Sequence, residues 1–397
     1  MNNAAAAPLA AAARAVAPLA AAARAVAPLA AAARAVAPLA AAHAAAADTE
    51  RRLHPAVAEA IAEAGFARHF SPVGFGPAGT FAELLDAAAV LGEACASAAW
   101  VASVTAAAGR LTGYLPPDGR EEVWAKGPQT VVAAGLIPAG TARQVPGGWE
   151  LTGSWPYVSG SDIAHWVIVA ARTEGGIRLC AVPREELSVD DTWFTLGMRG
   201  TGSNTVVLDG VRVPDERSVP LDTVVAGAAG PDAAACFRVP LKAGNGLTLA
   251  APLLGTARGA VRRWTQLAGG RLAAPAAGVS GATDQGTYEQ LLARSDGEID
   301  AAGMLLARVA QVADGGAVTA SGTARNTRDC ALAADMLATA VDRLLRSAGT
   351  RAHAEGEELQ RRWRDVTCGA GHNALQFGPA AHLHAAEALT AAASGAR

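Results

Sequence analysis

An α+β fold is what this 397-residue sequence predicts: an N-terminal helical domain, a central antiparallel β domain and a C-terminal four-helix bundle. Three observations carry that expectation. Apolar residues recur at three- and four-residue spacing across 45–126. Composition then shifts to Val, Thr, Trp and Gly across 127–222, in short runs parted by turn residues. Helical spacing returns over 235–397 in long segments at 239–268, 286–314, 318–347 and 357–391, separated by Gly-rich breaks.

The chain opens on a repeat. "PLAAAARAVA" fills 8–17, 18–27 and 28–37, then decays into "PLAAAHAAAA". Its ten-residue period is too short for the usual solenoid units. Alanine favours helix, while a proline in every copy breaks or kinks it. Residues 1–44 therefore read as an arm made by duplication of a helix-starting segment, extending the first helix. Within the helical domain, Gly65 reads as a C-cap and Thr80 with Glu83 as a capping box. In the β domain the strand candidates are "QTVVAAGLI", "GGWELTGSWPYVSG", "HWVIVAARTE", "GIRLCAVPR", "WFTLGM" and "TVVLDGVRVP". They follow one another without intervening helices, so an antiparallel barrel or sandwich is expected.

Composition bounds the function. Apolar residues are 51%, charged residues 17% and the net charge is −3, so a large core is possible and no nucleic-acid partner is implied. Lys126 and Lys242 are the only lysines, and the Ala and Arg bias fits an enzyme of secondary metabolism. Five scattered cysteines without a CxxC fit a reducing cytoplasm, and no His or Cys pair has zinc-ligand spacing, so no metal site is expected. No run of 18 uncharged, strongly apolar residues marks a membrane span, and the N-terminus lacks the basic start of a secretion signal. Cys368 lies four residues before His372, one helical turn apart, and the reading favoured for it is an inert buried thiol. No GxGxxG follows a strand, so no bound nicotinamide is implied.

"SWPYVSGSDIAHW" (154–166) crowds three aromatic residues around two serines and a glycine. Alone, Ser159 reads as a turn at a strand end. A wider set of strings changes that reading: "AGFARHFSPVGFGPAGTF" (64–81), "GGWELTGSWPYVSGSDIAHWVIVAA" (147–171), "LGMRGTGSNTVVLDGVRVP" (196–214) and "LQRRWRDVTCGAGHNAL" (359–375). In their order and spacing they resemble the acyl-CoA dehydrogenase fold over roughly 35–392. Within it the chain looks most like the flavin-dependent monooxygenase branch, the oxygenase components of two-component aromatic hydroxylases. "GFGPAGTF" departs from that family's usual "YGG" form.

The resemblance implies a homotetramer, with flavin between the β domain and the bundle and part of the pocket supplied by a second subunit. Reduced FMN or FAD (FMNH2 or FADH2) would come from a separate NAD(P)H:flavin reductase. Molecular oxygen would be co-substrate, through a C4a-hydroperoxyflavin. The product would be a hydroxylated aromatic or polyketide-like small molecule, bulky and uncharged to suit apolar walls.

The resemblance also assigns residues. Tyr157 falls where an aromatic packs near the ring, and Gly160 where backbone approaches it. Ser159 falls beside N5, where a fixed hydroxyl donor would hold N5–H. His372 falls at the monooxygenase branch's active-site histidine, as proton acceptor or hydrogen-bond partner. Trp100 matches an aromatic near the ring. "GLIPAG", with Leu136 and Gly140, would serve the flavin's pyrimidine end, and Arg199, Thr201 and Ser203 are candidates for polar contacts. Arg271 and the arginines of "ARNTRD" (324–329) could hold the flavin phosphate. Arg361, Arg364 and Asp365 resemble the family's cofactor and tetramer helix. No acid lies between Asp365 and Glu387, nor in "AAPLLGTARGAV", so the carboxylate base of an acyl-CoA dehydrogenase is missing. The alternatives are an acyl-CoA dehydrogenase or oxidase, an amine N-oxygenase of the same fold, and a non-redox use of the fold.

Overall fold

The protein is described here by a computed structural model covering residues 29–71, 74–230, 232–272 and 285–395. The first two copies of the repeat, most of the expected arm, lie outside the described residues. The third copy belongs to the folded body from Leu29 on. It forms α1 (Leu29–Ala42), which runs through Pro38 and buries Leu29, Ala33, Val36 and Ala40 on one face. α2 (Ala44–Glu50) follows. Among the described residues no single helix is long and apolar enough to cross a membrane; α1 and α2 together would be, but a 61° bend separates them.

α3 (Pro55–Ala64) ends on Gly65, whose φ of 92° and N–H bond to the Ala62 carbonyl make the expected C-cap. α4 (Phe81–Gly92) begins with the expected capping box. Thr80 Oγ1 accepts from the Glu83 N–H at 3.1 Å, and the Glu83 carboxylate accepts from the Thr80 N–H at 2.9 Å. Thr80→Ala should cost about 1 kcal/mol in thermal denaturation. No loss would mean that Asp314, which accepts from the Phe81 and Ala82 N–H groups, holds this helix start by itself. α5 (Ala96–Leu111) is buried along most of its length, and α6 (Pro117–Trp124) closes the first helical part.

The strands are β1 (Val132–Val145), β2 (Gly148–Val158), β3 (Trp166–Thr173), β4 (Gly176–Pro183), β5 (Ser188–Asp190), β6 (Asn204–Pro214) and β7 (Ser218–Pro220). They form one sheet in the order β5-β6-β2-β1-β3-β4-β7. The expected all-antiparallel pairing needs correction, because β1 and β3 run parallel. β2 returns from the β1 hairpin, and the connection at 159–165 then places β3 on the other edge of β1. The connection is short, so β3 starts at the end of the sheet where β2 ends and runs in the direction of β1. "WFTLGM" is also not a strand. Asn204 Oδ1 accepts from the Thr192 and Trp193 N–H groups, and Trp193 Nε1 donates to the Met198 carbonyl, so side chains replace a ladder there.

β3 is buried on both faces, which explains its unbroken apolar run. Trp166, Ile168 and Ala170 pack into the helical core, while Val167, Val169 and Ala171 pack into a second core with Leu151, Trp155 and Val206. Trp155 is fully buried and its Nε1 donates to the Ala170 carbonyl at 2.6 Å.

After α7 (Leu221–Ala226) come α8 (Leu241–Leu272), α9 (Gln285–Asp314) and α10 (Ala320–Ser347), near the expected bounds. The fourth expected segment is instead two helices, α11 (Glu358–Ala370) and α12 (Phe377–Gly395), with a short 3-10 turn at Asn373–Leu375 between them. α4 crosses α8 at two glycines. A Cβ at Gly255 would stand 1.9 Å from the Ala89 carbonyl oxygen, and one at Gly92 2.5 Å from that of Pro252. That crossing, with the hydrogen bond from Ser103 Oγ to the Thr248 carbonyl at 2.6 Å, fixes α8 against the first helical part.

Candidate active site

A cavity of about 940 Å³ lies where α5, α8, the α11–α12 break and the ends of β1 and β2 meet. Trp100, Ser159, Thr201, Ser203 and His372 line it, as do Leu136 and Tyr157. Thus residues from five separate stretches of sequence converge on one space.

At its centre is a chain of hydroxyls. Trp100 Nε1 donates to Ser159 Oγ at 3.1 Å. Ser159 Oγ lies 2.7 Å from Ser203 Oγ, and that oxygen lies 2.6 Å from Thr201 Oγ1. Thr201 Oγ1 donates to the Met198 carbonyl at 2.8 Å. Each hydroxyl has one proton, so the last bond directs all the others. Thr201 must accept from Ser203, and Ser203 from Ser159. Ser159 therefore has no proton left to give, and a free lone pair of its oxygen remains. The expected hydroxyl donor is an acceptor, which is what an N–H group requires.

The anchor of this chain is remote in sequence. Met198 adopts a left-handed φ of 54°, and its N–H donates to Asp365 Oδ1 at 2.6 Å. Burial pushes the Asp365 carboxyl up to about 6, with the Met198 N–H partly opposing that rise. Arg364 makes a two-bond pair with Asp48, at 3.0 and 2.6 Å. Arg364 and Asp365 thus tie α11 to α2 and to the 198 loop within one chain.

His372 sits in the break after α11, with φ −61° and ψ 137°. It therefore does not share a helical face with Cys368, whose thiol is pushed up by burial and stays protonated. His372 Nδ1 accepts from the Ala374 N–H at 3.1 Å. Desolvation by the surrounding protein holds its pKa below the usual histidine value, so the ring is neutral. Its exposure is to the cavity it lines, which is why an accessible ring is still desolvated. A neutral ring with Nδ1 accepting carries its proton on Nε2. Of the two expected roles, proton acceptor or hydrogen-bond partner, this arrangement suits the second. Its ring lies 5.9 Å from that of Trp100.

The other expected residues divide. Tyr157 has a φ of 65°, which breaks the strand alternation and turns its ring to the cavity mouth against Trp193. Leu136 lines the cavity at a bulge: the sheet register jumps between Gly135 and Gly140, leaving 136–139 without a paired residue on either neighbouring strand. Of these residues Leu136 and Ile137 reach the cavity. Gly140 and Gly160 do not line the cavity. Gly140 makes room for Trp155, whose ring would meet an added Cβ at 2.2 Å, and Gly160 takes a φ of 74° and donates to the Thr201 carbonyl. Arg271 also lies outside; its guanidinium is bonded to the Ala348 carbonyl and the Tyr288 hydroxyl. Arg199 is bonded to the Asp48 and Thr195 carbonyls, and Arg328 to Asp329 and His384.

The sequence reading overlooked Arg110, Lys242 and Asn245, which all line the cavity. The signals were Arg110 as the sole charge on α5 and Lys242 as one of two lysines. No Asp or Glu is among the described residues that line it.

The lining fits a reduced flavin: an N–H acceptor at Ser159, the strand irregularity at Leu136 and Ile137, and an aromatic ring at the mouth. Comparison with known proteins agrees. Residues 247–377 match the family model "Acyl-CoA dehydrogenase, C-terminal domain". The chain is 30% identical over 351 residues to the flavin-dependent monooxygenase, oxygenase subunit HsaA of Mycobacterium tuberculosis, covering 83% of this chain and 87% of that one. The crystal structure of the M. tuberculosis HsaA monooxygenase superposes with a TM-score of 0.84 at 28% identity, covering 91% of this chain and 97% of that one. XiaF from a Streptomyces species, solved with FADH2 and glycerol, gives a TM-score of 0.81 at 30% identity over 90% of this chain and 93% of its own.

Proposed function

The chain belongs to the flavin-dependent monooxygenase family of oxygenase components, and from that membership we propose that it hydroxylates an aromatic small molecule in the cavity between α5, α8 and β2. It is an oxidoreductase that uses reduced flavin and molecular oxygen. Bound FMNH2 or FADH2 supplies two electrons and activates oxygen, one atom of which enters the substrate while the other leaves as water.

The residues act around that chemistry. Ser159 Oγ accepts an N–H at the ring edge and is held by Trp100 and Ser203. Tyr157 packs at the mouth and the 136–139 backbone serves the pyrimidine end. His372 Nε2–H donates to an oxygen on the reacting side. Trp100, Val104 and Leu249 keep water from it. The observation that carries this reading is a directed hydroxyl chain in a cavity without a lining carboxylate. An acyl-CoA dehydrogenase needs a base at that place. Relatives named resorcinol hydroxylase and p-hydroxyphenylacetate 3-hydroxylase support an aromatic substrate.

Reduced flavin is delivered by a separate NAD(P)H:flavin reductase in the cytoplasm, where the five free cysteines stay reduced. The chain divides into a helical unit at 45–126, a β unit at 127–222 and a bundle at 235–397. The bundle assembles as a homotetramer, supported by exposed Met304, Phe377 and Leu389 on α9 and α12.

Anaerobic titration tests the assignment. Reduced FMN or FAD should bind at least about tenfold more tightly than the oxidised form, because only the reduced ring carries a hydrogen on N5, the edge that Ser159 would face. Tight stoichiometric binding of oxidised FAD, with oxidation of an acyl-CoA, would overturn it.

A further inference from the structure

The cavity has a second polar end. Arg110 is 4% exposed. Its Nε donates to the Cys236 carbonyl at 2.7 Å, and its Nη2 to the Tyr114 hydroxyl at 3.1 Å and to the Val239 carbonyl. Nη1 has no protein partner among the described residues. Because no buried side-chain nitrogen or oxygen there is left without one, Nη1 is the accessible corner of the group, and Arg110 opens on the cavity. No carboxylate offsets its charge, and burial pushes its pKa below the usual arginine value. Its other neighbours are carbonyl oxygens, the Tyr114 hydroxyl and the faces of Phe81 and Tyr114 at 5.6 and 5.9 Å, so the free Nη1 is the position from which an anion can be bound.

Two more unpaired polar groups face the same space. Lys242 and Asn245 line the cavity at i and i+3 on α8, so they share one face. Neither side chain bonds to another described residue. α5 and α8 run antiparallel here: Ser103 bonds to Thr248, and Arg110 to Val239. The cationic end therefore lies at the far end of both helices from Trp100 and Ser159. Ten residues separate Trp100 from Arg110, about 15 Å along α5. Ala107, Ala108, Leu111 and Leu249 line the cavity as well.

We propose that the substrate is an elongated aromatic acid, its carboxylate held by Arg110, Lys242 and Asn245 while its far ring lies beside Trp100, Ser159 and His372. This names the substrate class of the hydroxylation above and rests on that reading for where oxygen is delivered. It replaces the uncharged substrate expected from the sequence. The arginine also sets orientation, since an acid at this end fixes which ring reaches the other.

The test compares a hydroxybiphenyl carboxylate, with hydroxyl and acid at opposite ends, against its methyl ester. Binding to the full-length protein is followed by tryptophan fluorescence, with and without reduced FMN, under anaerobic conditions. The acid should bind at least about tenfold more tightly than the ester. Lys242→Met should reduce that ratio about threefold, and Arg110→Met should abolish it. Arg110→Met also removes bonds to the 236–239 segment, so Lys242→Met is the variant in which folding is not at stake. Equal binding of acid and ester, binding of neither, or a ratio unchanged in Lys242→Met would overturn the proposal. So would displacement of the acid by FMN or inorganic phosphate, which would give the cationic end to the flavin phosphate. The ratio needs neither oxygen nor turnover, so it stands or falls separately from the flavin chemistry.

Discussion

Ser159→Ala speeds the return of oxidised flavin after the reduced complex meets oxygen, on the order of 10²-fold, with hydrogen peroxide released in place of product. The reason is positional. The Ser159 oxygen has one lone pair for the ligand, because its proton is committed to Ser203 and its other lone pair to Trp100 Nε1. Alanine removes the acceptor for the ring N–H and also leaves the Trp100 N–H without its partner. Thr201→Val provides a second reading of the same chain. Valine fits the volume of this buried residue but ends the bond to the Met198 carbonyl, so Ser203 loses its acceptor and the direction of the chain is no longer set. A smaller increase, about tenfold, is expected there. Stopped-flow absorbance after rapid mixing measures both. Unchanged reoxidation in Ser159→Ala would remove Ser159 from the ring edge.

Asp365→Asn should flatten the pH dependence of stability. The folded carboxyl sits at about 6, against 3.8 for an unperturbed one. The native state therefore holds this proton more tightly than the unfolded chain. The resulting stabilisation is fully present below pH 3.8 and is lost as pH rises through 6. By neutral pH the loss amounts to about 3 kcal/mol. Asparagine cannot ionise, and its oxygen can still accept the Met198 N–H, so the variant should show none of that fall. Thermal denaturation of both proteins between acid and neutral pH gives the difference directly; parallel profiles would refute the buried ionised carboxylate. Asp365→Ala serves as the contrasting variant, because it leaves the buried Met198 N–H unpaired at a cost of about 1–3 kcal/mol. It should also shorten the delay before reoxidation, since Met198 carries the far end of the hydroxyl chain.

Both predictions rest on contacts between residues far apart in the chain, and that separates what the sequence could say from what it could not. Periodicity placed α8, α9 and α10 within a few residues, and Thr80 with Glu83 announced the start of α4. Those signals are local: a capping box spans one turn, and a helical face repeats every three or four residues. The order of α, β and α parts, and the strings carrying Ser159 and His372, were legible for the same reason. So was the lack of an acid between Asp365 and Glu387, which is read directly from the sequence.

The rest depended on which neighbour each segment meets. "WFTLGM" has the composition of a strand, yet Asn204 takes its backbone bonds. β3 runs with β1 because a short connection from the end of β2 carries it to the other edge of β1. Gly140 and Arg271 carry suitable residue types but are committed to Trp155 and to the end of α10. Ser159 and His372 both line the cavity, and which way each hydrogen-bonds follows from the Met198 carbonyl and the Ala374 N–H. A hydroxyl or an imidazole can act either way, and only its partners decide. The sequence by itself determined the order of the helical and strand-rich parts, the start of α4 and the presence of Ser159 and His372 in telling strings, since each is written within a few residues. Tertiary structure alone decided the direction of each proton, the buried charge at Asp365 and the unpaired cation at Arg110, because those depend on the dielectric and the partners that folding brings from distant parts of the chain.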